Sequence, residues 1–326
     1  MKKINWGIIG CGDVTEIKSG PAFSKVKNSS LVAVMRRNAE KAKDYARRHN
    51  VPKWYDDAMN LINDPDVHAI YIATPPSSHE TYTLAALQAG KPVYVEKPMT
   101  VNFSSAVKMM NAVKETDVKL SIAHYRREQP FFKKIKQLLD DKIIGEIRIA
   151  QLNFYNKILS AAELKLPGYA WRVDAAVAGG GLFHDLAPHQ LDLMYYFFGA
   201  VEKATGISVN QSHQYNADDV VSGNILFKNG IVFNGLWCFN VEPHNERDSC
   251  EIIGSEGSIS FSVFGQQKLS IIKNNTTEII PFKPLEHVQQ PMIEKVVAYF
   301  LDEGPNPCSA EDGAEIMLLM DKFTGK

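Results

Sequence analysis

The first third of the chain alternates two patterns, and that alternation restricts the fold more than any other feature. Apolar runs of strand length stand at 4–10 (INWGIIG), 31–35 (LVAVM), 68–74 (HAIYIAT), 91–96 (KPVYVE) and 119–123 (KLSIA). Between them, 38–50, 77–90 and 104–116 carry apolar residues at helical spacing, with serines opening two of these segments and Gly90 closing one. A strand that is apolar without alternation is covered on both faces, as in a parallel sheet flanked by helices. Strand–helix alternation then predicts a doubly wound parallel sheet, because parallel neighbours need a crossover and the crossover is a helix.

After about residue 124 the pattern changes. One more helix is expected at 130–141. Long β-type segments follow at 146–156, 204–213, 220–237, 250–263 and 268–275, and Lys228-Asn229-Gly230 between two alternating runs marks a hairpin. Short connections between neighbouring runs predict a large, mostly antiparallel open sheet. Helical patterns return at 287–302 and 309–323. The expected organisation is therefore an α/β domain over 1–124 and an α+β domain over 125–326.

The 326 residues carry a formal charge of −1. Such a balance lacks the basic footprint of a nucleic-acid partner or an anionic membrane surface. No apolar run approaches the roughly 20 residues needed to span a bilayer. The start, MKKINWGIIGCG, is too short in its apolar part for a signal peptide and ends in glycines. It reads as a first strand, so a cytoplasmic protein is expected. Cys11, Cys238, Cys250 and Cys308 are widely separated. Neither zinc nor redox spacing is present, and reduced thiols without a bound metal are expected.

Gly10-Cys11-Gly12 follows the first run directly, and Asp13 and Val14 open the next helical pattern. Glycines let the backbone turn and approach a pyrophosphate, which then sits on the helix N-terminus. The third position of the usual fingerprint is Thr15 rather than glycine. At the end of the second run stand Arg36 and Arg37, where an acid binding the ribose hydroxyls of NAD is expected. Arginine there pairs with a 2′-phosphate, which favours NADP(H); the other reading is a solvated helix start.

The run VYVEKP ends at the sheet edge where ligands lie, so Glu96 and Lys97 belong either to a site or to an exposed pair on a loop. Pro98 restricts the backbone of Lys97. Further on, GGGLFHDLAPHQLD (179–192) sets His184, Asp185, His189 and Asp192 among leucines. Proline is comfortable in a first helical turn, so Pro188 predicts a helix beginning near 184–185. Asp185 and His189 then share one face. A carboxylate beside an imidazole suits proton transfer near neutral pH, or alternatively a structural hydrogen bond. His184 lies off that face and is read as structural, or at most as a residue behind the site. In the irregular stretch 156–178, Trp171 is either a platform for a sugar face or a packing anchor, and Arg172 reaches a hydroxyl, a carboxylate or a cofactor. His124, Tyr125 and Arg126 follow the sixth expected element at the same sheet edge.

Taken together, GIIGCG (7–12), IATPPSSH (72–79), EKP (96–98), WRVD (171–174), GGG (179–181), the Asp185–His189 pair and CSAEDG (308–313) resemble the glucose–fructose oxidoreductase / inositol dehydrogenase / MocA family over the whole chain. The resemblance implies a Rossmann domain followed by a domain on an open antiparallel sheet, which often forms the interface of a homodimer or homotetramer. It implies hydride transfer between a nicotinamide cofactor and a carbinol or ketone carbon of a sugar, cyclitol or related polyol. It implies Lys97, Asp185 and His189 as the catalytic group, with Tyr125, Trp171 and Arg172 toward the substrate. Thr74, Pro75, His79 and Glu96 would join Gly10, Gly12, Asp13, Val14, Arg36, Arg37 and Lys97 around the cofactor. Two other readings stay open at this point: a glycosidase that uses a retained NAD through transient oxidation and elimination, and a non-catalytic NADP(H) sensor.

Overall fold

The computed structural model describes residues 2–326, and the chain divides into two units. The first runs to Gln129 and also takes up Leu285–Met317; the second holds Pro130–Pro284 and the residues from Leu318 onward. The expected division at 124/125 had put everything beyond it into the second domain. Packing explains the difference. Phe300 lies with its ring centroid 5.5 Å from that of Trp6, and Gln289 Nε2 donates to Glu96 Oε1 over 2.6 Å. No local pattern announces that a late segment packs on strands so far upstream.

The first unit is built on a six-stranded parallel sheet of order β3-β2-β1-β4-β5-β6. The strands are β1 (Ile4–Ile9), β2 (Ser29–Met35), β3 (Lys53–Tyr55), β4 (Ala69–Ile72), β5 (Val93–Val95) and β6 (Leu120–Ile122). All five expected runs are strands. The sixth, β3, is an edge strand of three residues, too short to carry a readable pattern. The expected helices form at Ala39–Arg48, His79–Gln88 and Phe103–Thr116. Asn102, not a serine, caps the last of these by accepting from Ser105 N. Strand order reverses between β1 and β4. At such a switch point the loops leaving the strands part and open a crevice for a ligand.

The second unit carries an eight-stranded sheet of order β14-β13-β12-β11-β7-β10-β9-β8. Its strands are β7 (Ile147–Lys157), β8 (Val201–Val209), β9 (Val220–Phe227), β10 (Val232–Val241), β11 (Arg247–Gly254), β12 (Gly257–Phe261), β13 (Lys268–Lys273) and β14 (Thr276–Pro281). All neighbours are antiparallel except β7 and β10. Asn229-Gly230 turns the β9–β10 hairpin as predicted, with Gly230 at φ +84°. The run predicted to end at 275 instead turns at Asn274 and Asn275, both left-handed, and returns as β14.

One face of this sheet is covered by the helix Gly181–Phe198. Phe183 meets Trp237 edge-on at 5.2 Å, and Phe198 meets Phe227 at 5.3 Å. The helix corrects the expectation drawn from Pro188: it starts at Gly181 and holds Pro188 in its interior. Proline there forgoes one ladder hydrogen bond, and burial of the surrounding residues on the sheet outweighs that local cost.

Candidate active site

The first cluster lies at the carboxyl ends of β1, β2, β4 and β5, all within the first unit. Gly10 has φ +96°, and a Cβ there would stand 2.8 Å from Thr74 N, so the turn closes only with glycine. Gly10 N and Cys11 N both donate to Met35 O, tying the turn to the end of β2. Gly12 differs. A Cβ there would meet only Gly10 O, at 3.9 Å. Protein packing leaves that position open, as a cradle for a pyrophosphate requires. The following helix, Asp13–Ile17, leaves the amides of Asp13 and Val14 without an intrahelical partner. Thr15 closes the turn with its hydroxyl, which accepts from Gly12 N over 3.0 Å and donates to Gly12 O over 2.8 Å. The departure from a third glycine is thus absorbed by the turn itself. Burial pushes the Cys11 thiol up to about 11, against the nearby Arg36 charge, so it stays neutral.

Arg36 reaches back over the same turn, donating from Nη1 to Cys11 O over 3.2 Å. Arg37 is exposed beyond it, and Asn38 caps the next helix. At the end of β4, Ser78 Oγ donates to Thr74 Oγ1 over 2.8 Å, and Pro75 leads into the next helix. His79 is buried with Nε2 2.7 Å from Thr74 O and Nδ1 3.0 Å from Pro98 O. It joins the loop after β4 to the loop after β5. Burial pulls its pKa down to about 4, and the Lys97 charge acts in the same direction. A neutral ring has one N–H to give, so it serves one of the two carbonyls at a time.

Glu96 ends β5 and is 6% exposed. Its Oε1 accepts from Tyr71 Oη at 2.5 Å and from Gln289 Nε2 at 2.6 Å, and its Oε2 accepts from Lys97 N at 3.2 Å. It therefore braces the backbone of Lys97, whereas the sequence reading had set it against the cofactor. Gln289 in this role had no sequence signal. The Lys97–Pro98 peptide is cis, and the Lys97 side chain is half-buried. After β6, His124 and Tyr125 are buried, and the Arg126 guanidinium lies 5.7 Å over the Tyr125 ring. Burial, with the charges of Arg127 and Lys97, holds His124 well below the ordinary imidazole range.

The second cluster belongs to the second unit. His184 is fully buried, with Nδ1 3.2 Å from Gly180 O. Its ring packs where a Cβ on Gly180 would lie. Burial pulls its pKa down to about 3, with the Lys326 charge adding to the effect. His184 is a neutral core histidine, as the sequence suggested. Asp185, one residue on, accepts from Arg172 Nε over 2.8 Å. Arg172 also donates to Gly168 O, and its guanidinium lies 4.5 Å over the Trp171 ring. Arg172 thus pairs with a carboxylate of the chain itself. His189 follows on the same helix, buried and edge-on to Phe264 at 5.6 Å. A cavity of about 470 Å³ opens beside Asp185 and Arg172. Leu159, Leu182, Leu186 and Tyr169 form its apolar wall, and Lys157 adds a charge. Leu182 and Leu186 come from the helix Gly181–Phe198, where the sequence suggested packing leucines, Tyr169 from a short helix and Leu159 from the stretch after β7.

Among the described residues, no helix is long and apolar enough to cross a membrane. A family model described as an oxidoreductase family with an NAD-binding Rossmann fold matches residues 4–124, and one for the GFO/IDH/MocA C-terminal domain matches residues 132–260. An oxidoreductase of Formosa agariphila is 48% identical over 99% of both chains. The scyllo-inositol 2-dehydrogenase (NAD(+)) of Bacillus subtilis is 26% identical, covering 86% of this chain and 80% of its own. The solved structure of a levoglucosan dehydrogenase in complex with NADH and levoglucosan shares the fold, with a TM-score of 0.86 over 98% of this chain and 96% of that one, at 23% identity.

Proposed function

The chain belongs to the GFO/IDH/MocA family of oxidoreductases, with an NAD(P)-binding Rossmann domain, and from that premise we propose that it transfers a hydride between NADP(H) and a carbinol or ketone carbon of a sugar, cyclitol or related polyol. The observation that carries the reading is the bracing of Lys97. A buried carboxylate with three protein donors fixes its backbone at the sheet edge beside the switch point. Fixed placement of a cationic donor is what stabilisation of developing alkoxide charge requires. Relatives named for scyllo-inositol and levoglucosan support a polyol or sugar as substrate.

The roles follow from chemistry. A nicotinamide nucleotide held at the turn of Gly10 and Gly12 would supply the hydride acceptor in oxidation and the hydride donor in reduction. His189 takes the hydroxyl proton in oxidation and gives it back in reduction. Lys97 stabilises the developing alkoxide charge, and Asp185, held by Arg172, orients the proton-transfer group. Lys97→Ala should lower kcat by about a hundredfold or more, while nucleotide affinity changes little. Equal losses in both would mean that Lys97 only binds nucleotide.

Arg36 supports the choice of NADP(H), because it stands just past the end of β2, where an arginine can pair with a 2′-phosphate and an acid cannot. In Arg36→Asp, the preference for NADP(H) over NAD(H), read from the two dissociation constants, should fall or reverse. An unchanged preference refutes the assignment.

A further inference from the structure

We infer that the cavity of the second unit selects a neutral sugar ring with an apolar edge, such as a deoxy, anhydro or O-methyl position, over a sugar carrying a carboxylate. This rests on the proposed function and names the substrate class of the same site.

Two observations carry it. The first is charge. The cavity is lined by the cations Lys157 and Arg172, a pattern that taken alone suggests an acidic ligand. Both are already paired: Lys157 Nζ with Glu163 Oε1 at 2.7 Å, and Arg172 Nε with Asp185 Oδ2 at 2.8 Å. Glu163 is itself fixed, accepting from Ser160 N and Ser160 Oγ in a capping box. An arriving carboxylate therefore meets a neutral wall and must either displace an acid from its cation or lose hydration without return.

The second observation is the wall. Leu159, Leu182, Leu186 and Tyr169 face the cavity. Of these, Tyr169 stays 37% exposed, so a large apolar side chain at the cavity is left for a ligand to cover. A methyl or methylene on the ring gains from that wall, at about fourfold in affinity per buried methylene.

The test is titration calorimetry on the full chain with saturating NADP(H). The probes are 6-deoxyglucose, glucose and glucuronate, then 6-deoxygalactose, galactose and galacturonate. Within each series the probes differ only at one carbon. The expected order is deoxy tightest and uronate weakest, with about a tenfold gap or more between those two. Glu163→Gln keeps the cap but leaves Lys157 unpaired, and should close most of that gap in favour of the uronate. A uronate bound as tightly as its deoxy partner overturns the inference. So does failure of all six sugars to bind, or a gap unmoved by Glu163→Gln. Nicotinamide absorbance with the same sugars separates the two claims. The expected binding order without turnover keeps this inference and removes the proposed function; turnover with the uronate preferred does the reverse.

Discussion

Replacing Arg172 with glutamine tests whether Asp185 must be held in place for turnover. In the structure the pair is 25% and 14% exposed, with Arg172 Nε 2.8 Å from Asp185 Oδ2. The same guanidinium lies 4.5 Å over Trp171 and donates to Gly168 O. Three contacts fix the fork before any substrate arrives, so little rotamer freedom remains to be lost. A charge-assisted hydrogen bond contributes roughly 1.5–3 kcal/mol. Partial exposure of both partners argues for the lower part of that range, about 1.5–2 kcal/mol. If Asp185 acts in the transition state, this converts to a loss in kcat/KM of about 10- to 30-fold.

Arg172→Lys keeps the charge but loses the planar fork and most of the ring stacking, so it should fall between glutamine and wild type. The assay is kcat/KM for the best sugar substrate, with nucleotide affinity measured in parallel by fluorescence. Nucleotide affinity should stay near wild type, because the cradle is built entirely from residues of the first unit. A glutamine variant within twofold of wild type in kcat/KM refutes the reasoning. A parallel loss of nucleotide affinity refutes it as well.

Two further predictions concern the whole chain. His79 and His184 are held neutral, with pKa values pulled down to about 4 and about 3; stability is full above the unfolded histidine pKa of about 6.5 and is lost as pH falls toward those values, by about 2 kcal/mol per histidine between pH 7 and 5. His184→Asn should lessen that loss in urea titrations at the two pH values, and a wild-type midpoint that does not move between them contradicts the assignment. On the face of the second sheet away from the helix Gly181–Phe198, Ile207 is 76% exposed and Ile279 is 61% exposed; if that face joins subunits, Ile207→Lys should shift a sedimenting dimer or tetramer toward monomer, whereas a monomeric wild type sinks the idea.

How much was legible followed from how local each cause is. Strand runs such as Ile4–Ile9 and Ala69–Ile72 are apolar because both faces are covered, and that shows in any window of the sequence. The pair Asp185 and His189 was readable from helical spacing alone. Pro188 misled, because a local rule about first turns was overruled by a helix buried along most of its length. The helices within Leu285–Met317 were legible, but their packing and the role of Gln289 were not, since the partners Trp6 and Glu96 lie far away in the chain. Arg172 was flagged, but its partner was not, because a guanidinium offers the same fork to a carboxylate, a hydroxyl or a phosphate.

The glycines show why a motif and its function must be argued separately. Gly10 and Gly180 are explained without any ligand: a side chain on one would strike Thr74 N, and on the other the His184 ring. A protein with no nucleotide would still need both. Gly12 is the exception, since its backbone is extended, at φ −142°, and nothing but Gly10 O lies near its missing Cβ. Folding does not ask for glycine there. On the proposed function, the demand comes from a nucleotide that approaches this backbone closely, beside the guanidinium of Arg36. The same reasoning separates the two acids of the proposed site. Glu96 is answered wholly by protein donors and acts through the backbone it holds, while Asp185 is turned toward a cavity and kept there by an arginine.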